Sequence, residues 1–320
     1  MFAGLTWISV TLLLAAGVLL DLVLGEARRW HPLVGFGNWA SAIERRLNRG
    51  RLRFGRGMLA WLLAVLPIVA LGTWICNGPG WPGLLAHALM LYFCLGLRSL
   101  RDHNLPIAQA LAQGDLARAR RLTARIVSRD TQHADAGDLA KASTESLLEN
   151  GNDAVFGTLF WFAVAGGPGA LLFRLANTLD AMWGYRSARF ASFGCAAARI
   201  DDGLNFFPAR LTALSYVLLA STPADKRRAW HCWRTQAPLW SSPNAGPVMS
   251  SGAGALGLAL GGAATYDGII EQRPALGSGA PARPQDIARA WRLVAHTTFL
   301  WLACAGILAC IVHFTGSNHA

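Results

Sequence analysis

Charge is what this chain has least of. Only 15% of its 320 residues are Asp, Glu, Lys or Arg, against about 25% in an ordinary soluble domain. With 53% hydrophobic residues and a mean hydropathy of +0.33, that deficit argues for a membrane protein before any segment is considered. Lysine is nearly missing: of 29 basic residues only Lys141 and Lys226 are lysines, and neither follows a glycine loop. No G-x-x-x-x-G-K-[ST] run occurs, which excludes a classical nucleotide P-loop, and no G-x-S-x-G elbow presents an acyl-enzyme serine. The six cysteines, at 76, 94, 195, 232, 304 and 310, show no C-x-x-C or other metal spacing. Most sit in apolar surroundings, so neither zinc nor a disulfide framework is expected. No linker, internal repeat or sustained strand alternation is evident, and residues 1–320 read as a single integral all-α membrane domain.

What is present is apolar runs separated by arginine. Residues 1–20 lack a basic n-region and run into Asp21 rather than a small-residue cleavage site, so they read as a retained span and not a signal peptide. The loop 26–56 holds eight arginines, and the positive-inside rule places it in the cytoplasm. Met58–Ile75 then crosses outward, Asn77-Gly78-Pro79-Gly80 turns, Pro82–Leu97 returns as a short span, and Val294–Phe314 is the last crossing. These make about four full spans in a lipid bilayer. Ala154–Phe173 is apolar but broken by Gly166-Gly167-Pro168-Gly169. A full crossing there would carry Arg186, Arg189 and Arg199 to the outer face, so a re-entrant or shallow helical hairpin is predicted, a form tolerated where protein covers it. The same is expected of Phe206–Ser221, which contains Pro208 and Arg210. Residues 247–262, rich in Gly, Ala and Ser, read as a closely packed helix, and 265–293 as a polar cytoplasmic loop. The arginines flank apolar spans and no nucleic-acid module is present, so no nucleic-acid partner is expected.

Nine of the eighteen acidic residues lie between Asp130 and Asp202. Carboxylates this dense in an apolar chain are costly to bury and need a reason. Ser128-Arg129-Asp130-Thr131 reads either as an N-cap with an ordinary salt bridge or as a clasp for phosphate and metal. On a helix over Asp135–Glu149, Lys141, Glu145 and Glu149 fall on one stripe. Either Lys141 pairs with Glu145 on a solvated face, or the glutamates hold a proton or a cation; Glu149-Asn150 and Asp153 lie where the chain becomes apolar. Asn177 and Asp180 share a helical face, as do Asp201, Asp202 and Asn205, and such hard oxygen ligands suit Mg²⁺. Arg199 and Arg210 flank that pair, as charge balance or as phosphate ligands. Pro243-Asn244-Ala245-Gly246-Pro247 is a turn by composition, and His31-Pro32 reads as structural. Residues 98–246 together form a cytoplasm-facing catalytic region.

In order, these pieces resemble one family. Asp21-Leu22-Val23-Leu24-Gly25, His31 to Gly37, Ser128 to Thr131, Glu145 to Asn150, Asn177 to Tyr185, Ala197 to Asn205, Pro208 to Thr212, Ser242 to Gly246 and Arg273 to Gly277 are similar to the CobD/CbiB family, the adenosylcobinamide-phosphate synthases of cobalamin biosynthesis. The resemblance covers roughly residues 21–295. Departures are Glu26-Ala27 where Asp-Pro is common, Thr158 where Pro is common, and Pro247 where Trp is usual; none removes a central carboxylate. The resemblance implies a multi-pass inner-membrane enzyme with its site facing the cytoplasm. It implies that adenosylcobyric acid is joined to (R)-1-aminopropan-2-yl phosphate, or to ethanolamine phosphate, with ATP and Mg²⁺ as cofactors. It also implies other membrane-bound late cobalamin enzymes as partners.

On that reading Glu145, Glu149, Asp153 and Asp202 are catalytic. Arg129, Asp130, Thr131, Asn150, Asn177, Arg199, Asn205, Arg210 and Asn244 hold substrate and phosphate, and Asp180, Asp201 and Asp202 hold metal. Two other readings stand beside it. A CDP-alcohol phosphotransferase also uses a membrane aspartate cluster, although Asp202-Gly203 and Ala209-Arg210 are too far apart for its pattern. A transporter or scaffold would explain the spans but not the acidic clusters.

Overall fold

The computed structural model describes residues 4–26, 31–185 and 187–317; Ala27 and Arg186 lie outside them. By length and composition, five helical stretches among the described residues are apolar enough to cross a membrane: Trp7–Leu24, Arg53–Cys76, Trp81–Ala112, Ala136–Trp183 and Pro284–Thr315. The chain groups into two compact units, one of residues 1–96, 157–205 and 302–320, the other of 97–156 and 206–301. The breaks at 156/157, 205/206 and 301/302 fall within helical backbone, which is why no linker marks them in the sequence.

The first unit contains α1 (Trp7–Leu24), α2 (Pro32–Leu47), α3 (Arg53–Cys76), α4 (Trp81–Cys94), α8 (Gly157–Trp183), the first half of α9 (Cys195–Leu218) and the end of α12 (Pro284–Ser317). His31 caps α2, its Nδ1 accepting from the Leu33 amide at 3.2 Å, with Pro32 in the first turn. Phe36, Trp61, Leu175, Leu179, Trp183 and Phe193 anchor the core. Large apolar side chains such as Leu12, Leu71 and Trp74 stay exposed on α1 and α3, as helices facing lipid require.

The stretch Ala136–Trp183 is not one straight rod. Ala165 (φ −135°, ψ 18°) and Gly166 (φ 64°, ψ −154°) interrupt it, and the chain folds back on itself. Gly157 packs on the Phe173 ring and Gly169 on the Trp161 carbonyl. In a straight helix, rising about 1.5 Å per residue, Gly157 and Phe173 would be about 24 Å apart. The expected hairpin is therefore present, and its arms approach closely because Gly157 and Gly169 carry no Cβ. The Gly167 amide, freed by the reversal, donates to His87 Nδ1 at 2.8 Å, so a buried donor finds its partner.

Phe206–Ser221 differs from expectation. It is not a shallow hairpin but the second half of the continuous helix α9. Pro208 is accommodated because the carbonyl it leaves unbonded, that of Leu204, accepts from Trp161 Nε1 at 2.9 Å.

The second unit contains α5 (Leu97–Ala112), α6 (Leu116–Thr123), α7 (Ala136–Gly151), a π-helical turn (Asn152–Phe156), the rest of α9, α10 (Pro223–Gln236), α11 (Ala245–Leu256), and the start of α12. It also holds strands β1 (Leu258–Tyr266), β2 (Ile269–Gly277) and β3 (Ala280–Pro281), ordered β2-β1-β3 with β1 and β2 antiparallel. The helical class holds, but two boundaries need correcting. Residues 247–262 are helical only to Leu256, and 265–293 is not a loop but most of a hairpin followed by α12. Gly257 (φ 67°) ends α11 in a left-handed turn. The strands escaped the sequence reading because they depend on pairing partners and on glycines, not on sustained alternation.

Candidate functional site

The site in the second unit is built on Glu145. This side chain, 3% exposed, accepts from Arg129 Nη2 at 2.6 Å, from Arg273 Nη1 at 2.9 Å and Nη2 at 3.3 Å, and from the Gly261 amide at 2.8 Å. Each partner arrives by a different route. Arg129 comes from the turn before α7, Arg273 from the middle of β2. The Gly261 amide is available because the ladder slips between Gly261 and Gly262. Both glycines are left-handed (φ 75° and 69°), and a Cβ on Gly261 would meet the Pro274 carbonyl; a bulge of this kind is natural for Gly-Gly. Burial disfavours the charge on Arg273, yet its bonds with Glu145 raise its pKa above the usual arginine value.

The Lys141–Glu145 pairing of the sequence reading does not occur. Lys141 lies 3.5 Å from Asp138 and donates to the Ala263 carbonyl at 3.3 Å, because two guanidiniums already saturate Glu145. The solvated-face alternative falls with it. The Ser128–Thr131 turn is likewise committed to protein contacts. Asp130 Oδ2 accepts from the Gly268 amide at 2.7 Å at the tip of the β1–β2 hairpin, and Thr131 Oγ1 donates to the Arg120 carbonyl at 3.1 Å. Asp130 and Thr131 therefore position Arg129.

A cavity of about 560 Å³ opens beside this cluster, with Arg129, Glu149, Asn150, Ser242, Trp240 and Arg273 on its walls. Glu149, one helical turn beyond Glu145, is half-buried, and its side chain makes no hydrogen bond or ion pair among the described residues. Asn150 turns its amide back to Ser146 (3.0 Å to the carbonyl, 3.1 Å to Oγ). Trp240 Nε1 is buried and has no hydrogen-bond partner among the described residues. Ser242 Oγ accepts from the Asn244 and Ala245 amides at 3.3 and 3.1 Å, ordering the start of α11. Arg210 donates to Asn244 Oδ1 at 2.7 Å and to the Pro243 carbonyl at 3.0 Å, and lies over Phe206. It thus holds the Pro243–Pro247 turn, which by composition alone is only a connector. Asp153, in the π-helical turn, accepts from Asn152 Nδ2 at 2.9 Å, while Asn152 Oδ1 accepts from Thr212 at 3.0 Å. Such turns recur at functional sites. A second cavity of about 570 Å³ shares the Arg129 wall and is bounded by Thr131, His133 and Lys141.

The first unit gathers the other signatures. Asp201 is buried and clasped by carboxamides, accepting from Asn177 at 3.4 Å and Asn205 at 3.2 Å. Asp180 lies within electrostatic reach of Asp202. Arg199 is exposed, with its guanidinium 5.9 Å from the Phe54 ring. Among the described residues, no three of His, Cys, Asp or Glu are grouped to hold a metal ion. Asp180, Asp201 and Asp202 are thus no ready-made Mg²⁺ cage; an ion bound there would complete its octahedron with substrate phosphate and water.

The sequence-derived list included Arg129, Glu145 and Glu149 but omitted Arg273, Gly261 and Trp240. Arg273 opens a run that carried the resemblance, and an arginine within an otherwise short polar stretch was the available signal. Gly261 and Trp240 had none.

Fold and site define a multi-pass helical membrane protein with buried arginine–carboxylate clusters. The sequence model of the CobD/CbiB protein family matches residues 14–294, and this chain belongs to that family, whose members act in cobalamin biosynthesis. It is 56% identical to the cobalamin biosynthesis protein CobD of Stutzerimonas stutzeri over 299 residues, covering 92% of this chain and 96% of that protein. It is 50% identical to that of Chromobacterium violaceum over 319 residues (97% and 99%) and 38% identical to that of Rhodobacter capsulatus over 279 residues (84% and 88%). No solved structure matches.

Proposed function

We propose that this protein is an adenosylcobinamide-phosphate synthase of the inner membrane with its site facing the cytoplasm. It joins the free carboxylate of adenosylcobyric acid to the amine of (R)-1-aminopropan-2-yl phosphate or ethanolamine phosphate. The observation that supports this most is the pair Arg129 and Arg273. Both are anchored on one buried carboxylate at the wall of a cavity that also contains Glu149, whose carboxylate makes no hydrogen bond or ion pair among the described residues.

Guanidiniums suit a phosphate because their planar donors match its oxygens. Anchoring on Glu145 uses some of those donors and fixes the rest, so the amino-alcohol phosphate meets a preformed site. The first amides of α11, ordered by Ser242, add partial positive charge at the same wall. Glu149 then takes a proton from the ammonium group, leaving an amine able to attack the acyl carbon. Trp240 Nε1 donates to an acceptor on the incoming ligand. ATP, as a cosubstrate expected of this family, supplies the phosphoryl group that turns a carboxylate oxygen into a leaving group. Asp202, Asp180 and the carboxamide-clasped Asp201 would hold Mg²⁺ together with phosphate oxygens. The corrin, the amino-alcohol phosphate and other membrane-bound late cobalamin enzymes are the partners of this reading.

Purified protein incubated with adenosylcobyric acid, amino-alcohol phosphate, ATP and Mg²⁺ should form the amide and consume ATP. Glu149→Gln and Asp202→Asn should lose synthesis while still inserting in the membrane. CMP release from a CDP-alcohol, or full activity in both variants, would overturn the proposal.

A further inference from the structure

The first unit holds a second basic pocket that the reaction above does not use. It measures about 340 Å³ and is bounded by Glu44, Arg45, Asn48, Arg49, Arg53 and Arg189. Glu44 is 3% exposed and fully spent: it accepts from Arg189 Nε at 3.0 Å and Nη2 at 2.6 Å, and from Asn48 Nδ2 at 2.7 Å. Arg45, Arg49 and Arg53 make no ion pair among the described residues. Four guanidiniums against one carboxylate leave a surplus of three positive charges (4 − 1) around one small cavity.

These arginines are positioned. Arg49 Nε donates to the Arg45 carbonyl at 3.0 Å, Arg53 Nη1 to the Ala188 carbonyl at 3.3 Å, and Arg56 to the Arg49 carbonyl. All four arginines are solvent-exposed, so an arriving anion meets guanidinium donors that match its oxygens without having to break the Glu44 contacts.

The surroundings indicate which anion. Arg53 is the first residue of α3, one of the helices apolar enough to cross a membrane. Next to it Leu52 is 77% exposed and Phe54 45% exposed. The preceding helix α2 buries Phe36, Ala40 and Ile43 against the protein while leaving Val34 and Trp39 in the open. A helix with one face on protein, an exposed tryptophan and arginines at its end has the character of an element lying in the membrane interface. Basic pockets at that depth meet lipid phosphates, and the apolar flank formed by Leu52 and Phe54 meets acyl chain.

We propose that this pocket binds the phosphate of an anionic phospholipid headgroup. The oxyanion chemistry is shared with free phosphate, and the test separates the two sources. Delipidated full-length protein in a zwitterionic detergent is melted with short-chain phosphatidylglycerol, with phosphatidylcholine of the same chain length, and with inorganic phosphate. Phosphatidylglycerol should raise Tm saturably, and the other two should not at equal concentration. The double variant Arg45→Gln/Arg49→Gln should melt like the parent without lipid, yet bind phosphatidylglycerol about 25-fold more weakly, or about fivefold for each arginine removed. Equal stabilisation by inorganic phosphate would make this a soluble-phosphate site and overturn the lipid assignment. Equal stabilisation by phosphatidylcholine, or an undiminished effect in the double variant, would overturn the site itself. Should the variant fail to fold, native mass spectrometry of parent protein drawn from mixed-lipid membranes decides: retained phosphatidylglycerol supports the site, and no retained anionic lipid overturns it.

Discussion

Glu145 and Glu149 lie one turn apart on α7, and their surroundings give them opposite tasks. Glu145 ties two arginines and a bulge amide together, so removing it strands two guanidiniums in a buried setting. Glu145→Ala should cost about 3–5 kcal/mol, seen as a lower Tm in detergent, and should raise KM for the amino-alcohol phosphate in the protein that still folds, because Arg129 and Arg273 lose their anchor. Glu149 makes no such bonds. Glu149→Gln should leave Tm unchanged and lower kcat/KM by at least about 100-fold; a variant that melts early but keeps its specific activity would reverse these roles. Glu44 gives a pH signature away from the spans. Burial pushes its carboxyl up, but the bonds from Arg189 and Asn48 outweigh that and hold its pKa below the ordinary value of 4.5. A depressed folded pKa means the stabilisation is complete above about 4.5 and is lost as pH falls through the lower folded value. Melting curves between pH 7 and 3 should therefore show an acid-sensitive component that Arg189→Gln removes.

At the scale of elements, the hairpin within α8 depends on glycine at Gly157 and Gly169. A methyl at Gly157 would run into the Phe173 ring. Gly157→Ala should destabilise by about 1–3 kcal/mol, and adding Phe173→Leu should recover much of the lost Tm. Independent effects of the two substitutions would show that the arms are not in contact. The β1–β2 hairpin has an equivalent dependence. It carries Arg273 and Gly261 to Glu145 only because its bulge is set by Gly261-Gly262 and its tip is held by Asp130. Asp130 and Thr131 brace the turn that carries Arg129.

For the whole molecule, the chain reversal at Ala165-Gly166 is the feature on which the proposed topology turns. It folds Ala154–Phe173 back as a helical hairpin; on the proposed orientation a reporter fused after Asn177 should read as cytoplasmic, and a periplasmic signal would refute that orientation. The membrane character, the helical class, the α7 boundaries and the glycine break were legible in the sequence, because composition and local chemistry dictate them. Low charge demands lipid, Asp135 caps α7 by accepting from the Asp138 amide at 2.8 Å, and Gly166-Gly167-Pro168-Gly169 favours a break, which falls at Ala165-Gly166. The order of short motifs likewise pointed to the CobD/CbiB family. Side-chain partners were not legible, since they depend on which distant segments meet. Lys141 and Glu145 have ideal spacing for a pair, but Arg273, 128 residues further on, reaches Glu145 as a bidentate guanidinium that an ammonium cannot match. Local sequence therefore determined where α7 starts and where α8 breaks. Tertiary structure alone decided which carboxylate is bound and which stays available, because that choice rests on contacts across long stretches of chain.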